Sequence, residues 1–416
     1  MRILFLSHYF PPEVNAPASR TYEHCKAWAR AGHEVTVVTC VPNHPRGIAY
    51  EGYRNKLWQR EQRDGMTVIR LWTFVSANEG FFKRTLNYVS FMLACVFAAP
   101  FLPKTDIVVT TSPQFFNGLA GYPVSRMKRV PWVLEIRDLW PESIVAVGGL
   151  KPGVVVRMLE WLELFGYRKA DAIVPVTDSF KRYMIGKGIS AAKIEVIKNG
   201  VDAAVFQPHV GANSLRTELS LEGKFVAAYF GTHGMAHQLE TVLEAAGLLD
   251  KHPEIMFLMV GDGAERNRLM GLRHARGLSN VLMLDQQPKA KMPMLWDLCS
   301  VSVVHLKRSP LFRTVIPSKI FESMAMEKPV LLGVEGEAAE IIEQAGAGMC
   351  IEPENAEQLA NAVLKLAHDP ETVRLMGVKG RTFVIENFDR NRLAMRYQAL
   401  LGRVIAGQHC SSEASA

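Results

Sequence analysis

The sequence predicts an α/β protein made of two doubly wound, Rossmann-like parallel-sheet domains. Its 416 residues are about twice a typical domain, with 48% hydrophobic and 21% charged residues as in an ordinary soluble protein. Short apolar runs alternate with longer helix-like stretches along the chain, the pattern of strands buried on both faces by crossover helices.

The elements follow in order. RILFLS predicts a first strand, PASRTYEHCKAWARAG a helix stopped at Gly32, and HEVTVVTC a second strand. DIVVTTS, WVLEIRD, AIVPVT and KIEVIKNG complete the first series. NGVDAAVFQP then turns at Pro208, and the polar, irregular HVGANSLRTELSLEGK reads as a linker, so the domains are expected to divide at 205/206. FVAAYFGTHG, IMFLMVGDG, VLMLDQ, SVVHL and KPVLLGV are the second strand series, and one long amphipathic helix is expected from about Glu371 to Gly407. No tandem repeat is present, and the terminal CSSEASA reads as frayed.

From Thr85 to Pro103 the segment TLNYVSFMLACVFAAPFLP carries no charge, with FFKR before it and Lys104 after it. Its length approaches a membrane span. Asn87, Ser90 and Pro100 dilute it, and it lies between strand-like segments of one unit. A core helix, or a helix lying in the membrane interface with Lys83 and Arg84 at headgroup level, is expected rather than a span.

The net charge of +7 is unevenly placed. Residues 1–205 hold 26 Lys and Arg against 17 Asp and Glu, and residues 206–416 hold 22 against 24. The basic half predicts anionic ligands or an anionic membrane surface. No zinc-finger spacing, basic zipper or ribonucleoprotein signature occurs, so nucleic acid is not an expected partner. Cys25, Cys40, Cys95, Cys299, Cys350 and Cys410 are scattered without a C-x-x-C, which predicts a reduced, cytoplasmic protein. MRILFLSHYFPPE is too short in apolar residues for a signal peptide.

Common chemistries are excluded by motif. There is no G-x-G-x-x-G after the first strand, no G-x-x-x-x-G-K-[ST] and no G-x-S-x-G. Without D-x-D or a His/Asp cluster, neither a metal nor a cofactor is expected. What remains are loop-to-helix junctions after strands, where helix N-termini favour anions. FPPEVNAPASR leads into the first helix with Arg20 in its opening turns. YFGTHGMAHQLE brings Gly231, Gly234 and His237, and VGDGAE brings Gly261 and Gly263, whose missing side chains allow close backbone approach.

IPSKIFESMAMEKPV is the most informative junction. Ser318 can cap a helix, the free N–H groups of Lys319 and Ile320 with the Lys319 ammonium can hold a phosphate, and Glu322 lies one turn on, able to accept from a ribose diol. The same pair could instead be an i,i+3 surface ion pair worth little.

SHYFPPE, RAGHEVTVVT, IRDLWPES, KIEVIKNGVDAAVFQP, VGDGAE and PSKIFESMAMEKPVL, in this order, resemble the landmarks of the family-4 glycosyltransferases, retaining GT-B enzymes that use nucleotide sugars. DLWPES and PSK look most like the branch that builds bacterial O-antigen and capsule, including N-acetylfucosaminyltransferases. The resemblance implies two domains facing a cleft, with the acceptor in the first (1–205) and the donor in the second (206–384). It also implies a C-terminal helix, about 385–407, packing back on the first. Glu322 is then the ribose carboxylate and Gln286 and Gln287 lie near the base, with UDP the expected base carrier.

Three departures stand out. The family's first glutamate of E-x7-E is Thr314 here. Its Arg and Lys for the diphosphate are Thr232 and His237, which would move the cationic role to Lys319, helped by Arg313 or Lys307. Its Gly-Gly after the first strand is Asn15–Ala16, and the usual His before the aspartate is Arg137. Asp138 is the candidate acceptor-side base, Arg137 a candidate holder of an acceptor phosphate, and His8, Asn15 and Arg20 complete the acceptor set. The implied reaction is metal-independent hexosyl transfer, by front-face attack, to a lipid-diphosphate-linked saccharide at the inner membrane face. A sugar-nucleotide epimerase of the same architecture and a non-catalytic nucleotide-sugar-binding paralogue remain as alternatives.

Overall fold

A computed structural model describes residues 1–13, 15–44, 47–76, 81–112, 114–146, 151 and 153–407. Cys410 and the terminal CSSEASA lie outside them. The chain forms two compact units, Met1–Lys198 with Arg390 onward, and Asn199–Asp389.

The first unit runs β1 (Arg2–Leu6), α1 (Ala16–Arg30), β2 (Glu34–Cys40), β3 (Trp58–Arg63), β4 (Met66–Leu71), α2 (Phe81–Ala98), β5 (Ile107–Thr111), α3 (Phe115–Lys128), β6 (Trp132–Ile136), α4 (Glu142–Ala146), α5 (Val154–Lys169), β7 (Ala172–Pro175) and α6 (Asp178–Gly186). Its sheet has the order β3-β4-β2-β1-β5-β6-β7. All pairs are parallel except β3–β4. β1, β5 and β6 are almost wholly buried, which is why they read as unbroken apolar runs.

The second unit holds α7 (Asn213–Glu218), β8 (Phe225–Phe230), α8 (Glu240–Leu248), β9 (Ile255–Val260), α9 (Arg266–Ala275), β10 (Val281–Leu284), α10 (Met292–Leu298), β11 (Val301–His305), α11 (Lys319–Ala325), β12 (Val330–Gly333), α12 (Glu337–Ala345), β13 (Gly348–Cys350), α13 (Ala356–Ala367) and α14 (Pro370–Phe388). Its sheet, β10-β9-β8-β11-β12-β13, is parallel throughout. The chain then returns to the first unit as α15 (Arg390–Ile405).

Several expectations need correction. The polar β3 pairs with β4 through a two-residue turn, Asp64–Gly65, with φ of 48° and 79°. That Asp-Gly signal is legible, but the strand itself, WQREQR, has no apolar run because it is a solvated edge. KIEVIKNG is not a strand: it follows β7 through single bonds from Glu195 N–H and Ile197 N–H to the Ile173 and Pro175 carbonyls.

The expected linker 209–224 belongs to the second unit. Asp297 accepts from the N–H groups of His209, Gly211 and Ala212, and Leu221 is in the core. The units divide instead at 198/199 and 389/390. There the Val201 N–H bonds the Phe388 carbonyl at 3.0 Å, holding 199–206 to the second unit. The expected helix 371–407 is two helices, broken where Asp389 is extended (φ −64°, ψ 128°).

The uncharged segment is a helix, α2, packed on α3. Asn87, Phe91 and Cys95 are buried, while Leu86, Leu93, Phe97 and Phe101 at the end of the segment are exposed. By length and mean hydropathy alone, 83–101 could cross a membrane; here one side of it belongs to the first unit's core.

Candidate functional site

In the second unit the residues singled out in the sequence gather beyond the carboxyl ends of β8, β9, β10 and β11 and at the start of α11. A Cβ on Gly261 would lie 1.8 Å from the Gly231 carbonyl oxygen, and one on Gly263 would lie 2.5 Å from that of His233. The close approach these glycines permit is therefore between two loops. The His233 N–H donates to the Asp262 carbonyl, and the Glu265 N–H returns to that of His233, both at 2.9 Å. Tyr229 Oη holds the Thr232 carbonyl at 2.8 Å.

His237 sits on the next turn, its ring held neutral by burial. Its carbonyl accepts 2.8 Å from Nδ1 of His305, whose Nε2 receives the Glu354 N–H at 2.9 Å. The sequence reading missed His305, one polar ring in the apolar SVVHL. Gly333 on β12 makes room for it, since a Cβ there would lie 2.3 Å from the imidazole. The Lys307 N–H ties the same turn down through the Ala236 carbonyl at 2.8 Å, leaving the lysine side chain exposed beside it.

At α11 the cation and carboxylate do stand together. Lys319 Nζ is 3.2 Å from Glu322 Oε2, with the lysine 34% and the glutamate 12% exposed. Without a ligand they form the i,i+3 pair that was the alternative reading. Two expected details do not hold. Ser318 stands at the N-cap in helical conformation and its side chain caps nothing. The Ile320 N–H is not free: it reaches the Pro317 carbonyl at 3.2 Å in a tight first turn.

Arg313 is exposed and bound to Glu335 at 2.7 Å. Thr314 Oγ1 donates to the Leu311 carbonyl at 2.6 Å, so its hydroxyl serves the local turn. Gln286 is exposed after β10, and Gln287 Nε2 turns back to the Asp285 carbonyl. Arg266, not singled out in the sequence, joins the loops after β9 and β10 through Asp285 at 2.5 Å.

In the first unit the structure reassigns two expected ligand residues. Arg20 is 6% exposed and fully engaged, with Glu135 at 3.2 Å and the Ile197 and Lys198 carbonyls at 2.8 and 2.9 Å. It is a structural tie between α1, β6 and the segment after α6. Glu135, hidden inside WVLEI, also accepts from Thr111 Oγ1 at 2.8 Å. His8 is 3% exposed, boxed by Tyr9, Tyr88 and Phe91, and burial pulls its pKa down to about 4. The ring is a neutral core residue here, poorly placed to touch an acceptor.

Asn15 caps α1 by accepting the Ala18 N–H at 2.8 Å; its buried Nδ2 has no partner. Arg137 and Asp138 follow β6. Burial pushes the Asp138 carboxyl up to about 6, the value of a group poised to take a proton near neutral pH. It lines an open pocket of about 350 Å³, mouth included, together with Phe115, Leu134, Ile136, Trp140 and Glu163. Burial, then Glu142, push Glu163 up to about 8, and Tyr167 Oη donates to it at 2.6 Å. Glu163 was missed because, with Glu160 three residues before it on the amphipathic α5, it looks like a solvated residue.

Known proteins agree with this division. Residues 15–200 match the glycosyl transferase 4-like domain, and residues 212–383 match the glycosyl transferases group 1 domain. The colanic acid biosynthesis glycosyl transferase WcaI of Escherichia coli K12 is 28% identical over 87% of this chain and 91% of its own. Sucrose-phosphate synthase from Thermosynechococcus elongatus superposes with a TM-score of 0.77 at 20% identity, over 98% of this chain and all of that one. Anabaena Alr3699/HepE in complex with UDP and glucose gives 0.73 at 18%, over 97% and 99%. With both halves matched in order and two parallel α/β sheets of this kind, the chain belongs to the family-4, GT-B glycosyltransferases, in the branch that includes bacterial polysaccharide enzymes.

Proposed function

We propose that this glycosyltransferase moves a hexose, with retention, from a UDP-sugar to a lipid-diphosphate-linked saccharide during assembly of a bacterial surface polysaccharide. An N-acetylated amino sugar such as N-acetylfucosamine fits the DLWPES and PSK variants. The observation that carries the reading is the Lys319–Glu322 pair at the start of α11, beyond the carboxyl ends of a doubly wound sheet, where ligands of such sheets bind. UDP is favoured because the Anabaena structure holds UDP on the same fold.

The donor's ribose hydroxyls replace Lys319 as the partners of Glu322. The freed ammonium, with Lys307 and the Gly231–Thr232 turn, faces the diphosphate. These preorganised donors stabilise the charge that grows on the leaving phosphate, commonly the largest catalytic contribution. The acceptor hydroxyl attacks from the face the diphosphate leaves, and its proton passes to the departing phosphate oxygen. The ionised Asp138 accepts a hydrogen bond from the acceptor hydroxyl and orients it for the attack. No metal enters this scheme.

The exposed apolar face of α2, with Lys83 at its start, supports a peripheral seat on the inner, anionic leaflet. Exposed Val154, Met158 and Trp161 on α5 add apolar surface to the same unit.

The test is transfer itself. UDP-, GDP-, dTDP- and ADP-sugars are offered with EDTA and vesicles carrying polyprenyl-diphosphate saccharides, and product lipid is read by mass. Retained-linkage product from a UDP-sugar supports the proposal. A free isomerised sugar would make the protein an epimerase, and neither product nor nucleotide binding would make it non-catalytic.

A further inference from the structure

The pocket that Asp138 lines also holds a buried acid that the proposed reaction does not use. Phe115, Leu134, Ile136 and Trp140 give the pocket apolar walls, with the Phe115 and Trp140 rings 5.0 Å apart. Gly118 and Gly166 keep it open: a Cβ on the first would press on Leu134 at 3.3 Å, and one on the second on Leu119 at 3.2 Å. Glu163 is 4% exposed and lines the same space. Its Oε1 accepts the Tyr167 hydroxyl at 2.6 Å. Its Oε2 is 3.5 Å from Tyr183 Oη, too long for a good O–H···O bond, and that hydroxyl donates to Glu142. Glu142 has Lys187 at 3.9 Å, whereas Lys187 acts on Glu163 only from beyond ion-pair distance. The groups around Glu163 are thus Glu142 on α4, Tyr183 on α6, Lys187 just after it, Glu160 and Tyr167 on its own helix, and Asp138 in the same pocket. Burial and Glu142 keep Glu163 protonated at neutral pH. A proton on Oε2 then has no close acceptor among the described residues, and an unmatched buried donor costs about 1–3 kcal/mol.

We propose that this pocket is a subsite for an acetamido group on the accepting sugar, its methyl against the apolar walls and its carbonyl oxygen accepting a hydrogen bond from Glu163. This rests on the reading that Asp138 orients the attacking hydroxyl. With that hydroxyl on Asp138, a substituent on a neighbouring ring carbon enters the pocket that Asp138 shares with Glu163. The chemistry of the lining selects the group. A deoxy-sugar methyl would suit the walls and leave the Glu163 proton unmatched. A hydroxyl would match the proton and waste the apolar walls. An ammonium would call for an ionised carboxyl, and a carboxylate for a cation. An acetamido group brings an apolar end and a neutral acceptor together.

The experiment is saturation-transfer NMR of the full chain with the methyl glycosides of N-acetylglucosamine and N-acetylgalactosamine, beside those of glucose, galactose and fucose. None of these probes titrates between pH 7 and 9.5. At pH 7 the acetamido methyl should be the most strongly saturated group, and an N-acetyl sugar should bind about tenfold more tightly than the others. At pH 9.5 Glu163 is ionised, the carbonyl oxygen meets a carboxylate, and acetamido binding should weaken by about fivefold. Glu163→Gln, whose amide keeps a neutral donor, should bind at pH 7 as the parent does and lose that pH dependence. The proposal is overturned if the N-acetyl sugars bind no better than the plain ones, or if Glu163→Gln keeps the parent's pH dependence. Equal kcat/KM for transfer to N-acetylated and plain acceptors would uphold glycosyl transfer and overturn the subsite. Failure of transfer with the acetamido binding and its pH dependence intact would count against the proposed function and uphold the subsite.

Discussion

Glu322 and Asp138 place the two halves of the proposed reaction on single carboxylates. Glu322→Gln keeps shape but loses the charge-assisted bonds to the ribose diol. Donor affinity should fall roughly 10–100-fold, the equivalent of about 1.5–3 kcal/mol, with the melting temperature near that of the parent; calorimetry with a UDP-sugar measures it. Asp138 must be ionised to accept the hydrogen bond of the acceptor hydroxyl, and burial raises its pKa to about 6. kcat/KM at saturating donor should therefore rise with pH through about 6 and level above it. Asp138→Asn should remove that limb and lower the rate by about 10²–10⁴-fold.

Glu163 gives a stability counterpart. Its folded pKa of about 8 lies above the ordinary value near 4.5, so folding favours its protonated form. Stability from this group is complete below about 4.5 and is lost as pH rises through 8. Urea midpoints should thus fall more between pH 5 and 9 for the parent than for Glu163→Gln. Equal falls would contradict the buried-acid account.

At the level of elements, the apolar strands were legible because burial on both faces leaves only uncharged runs. β1, β2, β5, β6 and β8 to β12 all carry one. Place in the sheet did not decide the rest: the edge strands β7 and β10 were read from AIVPVT and VLMLDQ, whereas β3 and the interior β4, with Arg70 in its run, were not. β3 is polar because it is exposed, and β13 is three residues long. The break at Asp389 is set by a tertiary pairing to Val201 that no local pattern announces.

The site divided the same way. The loops after strands and the Lys319–Glu322 spacing could be read directly. The roles of Arg20 and His8 could not, because their partners lie far away in sequence. The loop–loop packing makes its own prediction: Gly261→Ala drives a Cβ into the Gly231 carbonyl. It should cost several kcal/mol in chemical denaturation of the second unit, or displace the donor loops and abolish nucleotide binding. On α2 and the turn that follows it, Phe97→Asp with Phe101→Asp should reduce sedimentation with anionic vesicles while leaving the melting temperature unchanged, since both rings are exposed.

At the scale of the whole molecule, the first unit is completed by the last helix. Tyr397 and Leu400 of α15 are in its core, the Tyr397 ring lies 5.2 Å from that of Trp28, and Trp28 Nε1 donates to the Ala394 carbonyl. Tyr397→Ala should cost about 3–5 kcal/mol of first-unit stability in urea. The chain thus visits the first unit twice, and nucleotide binding is assigned wholly to the second.

The measurement that tests this assignment most directly is a thermal-shift titration of the full chain with UDP-, GDP-, dTDP- and ADP-sugars in EDTA, beside Glu322→Gln. The account predicts a concentration-dependent rise with the UDP-sugar that is largely lost in the variant. No rise with any nucleotide sugar, or an equal rise in Glu322→Gln, would contradict it.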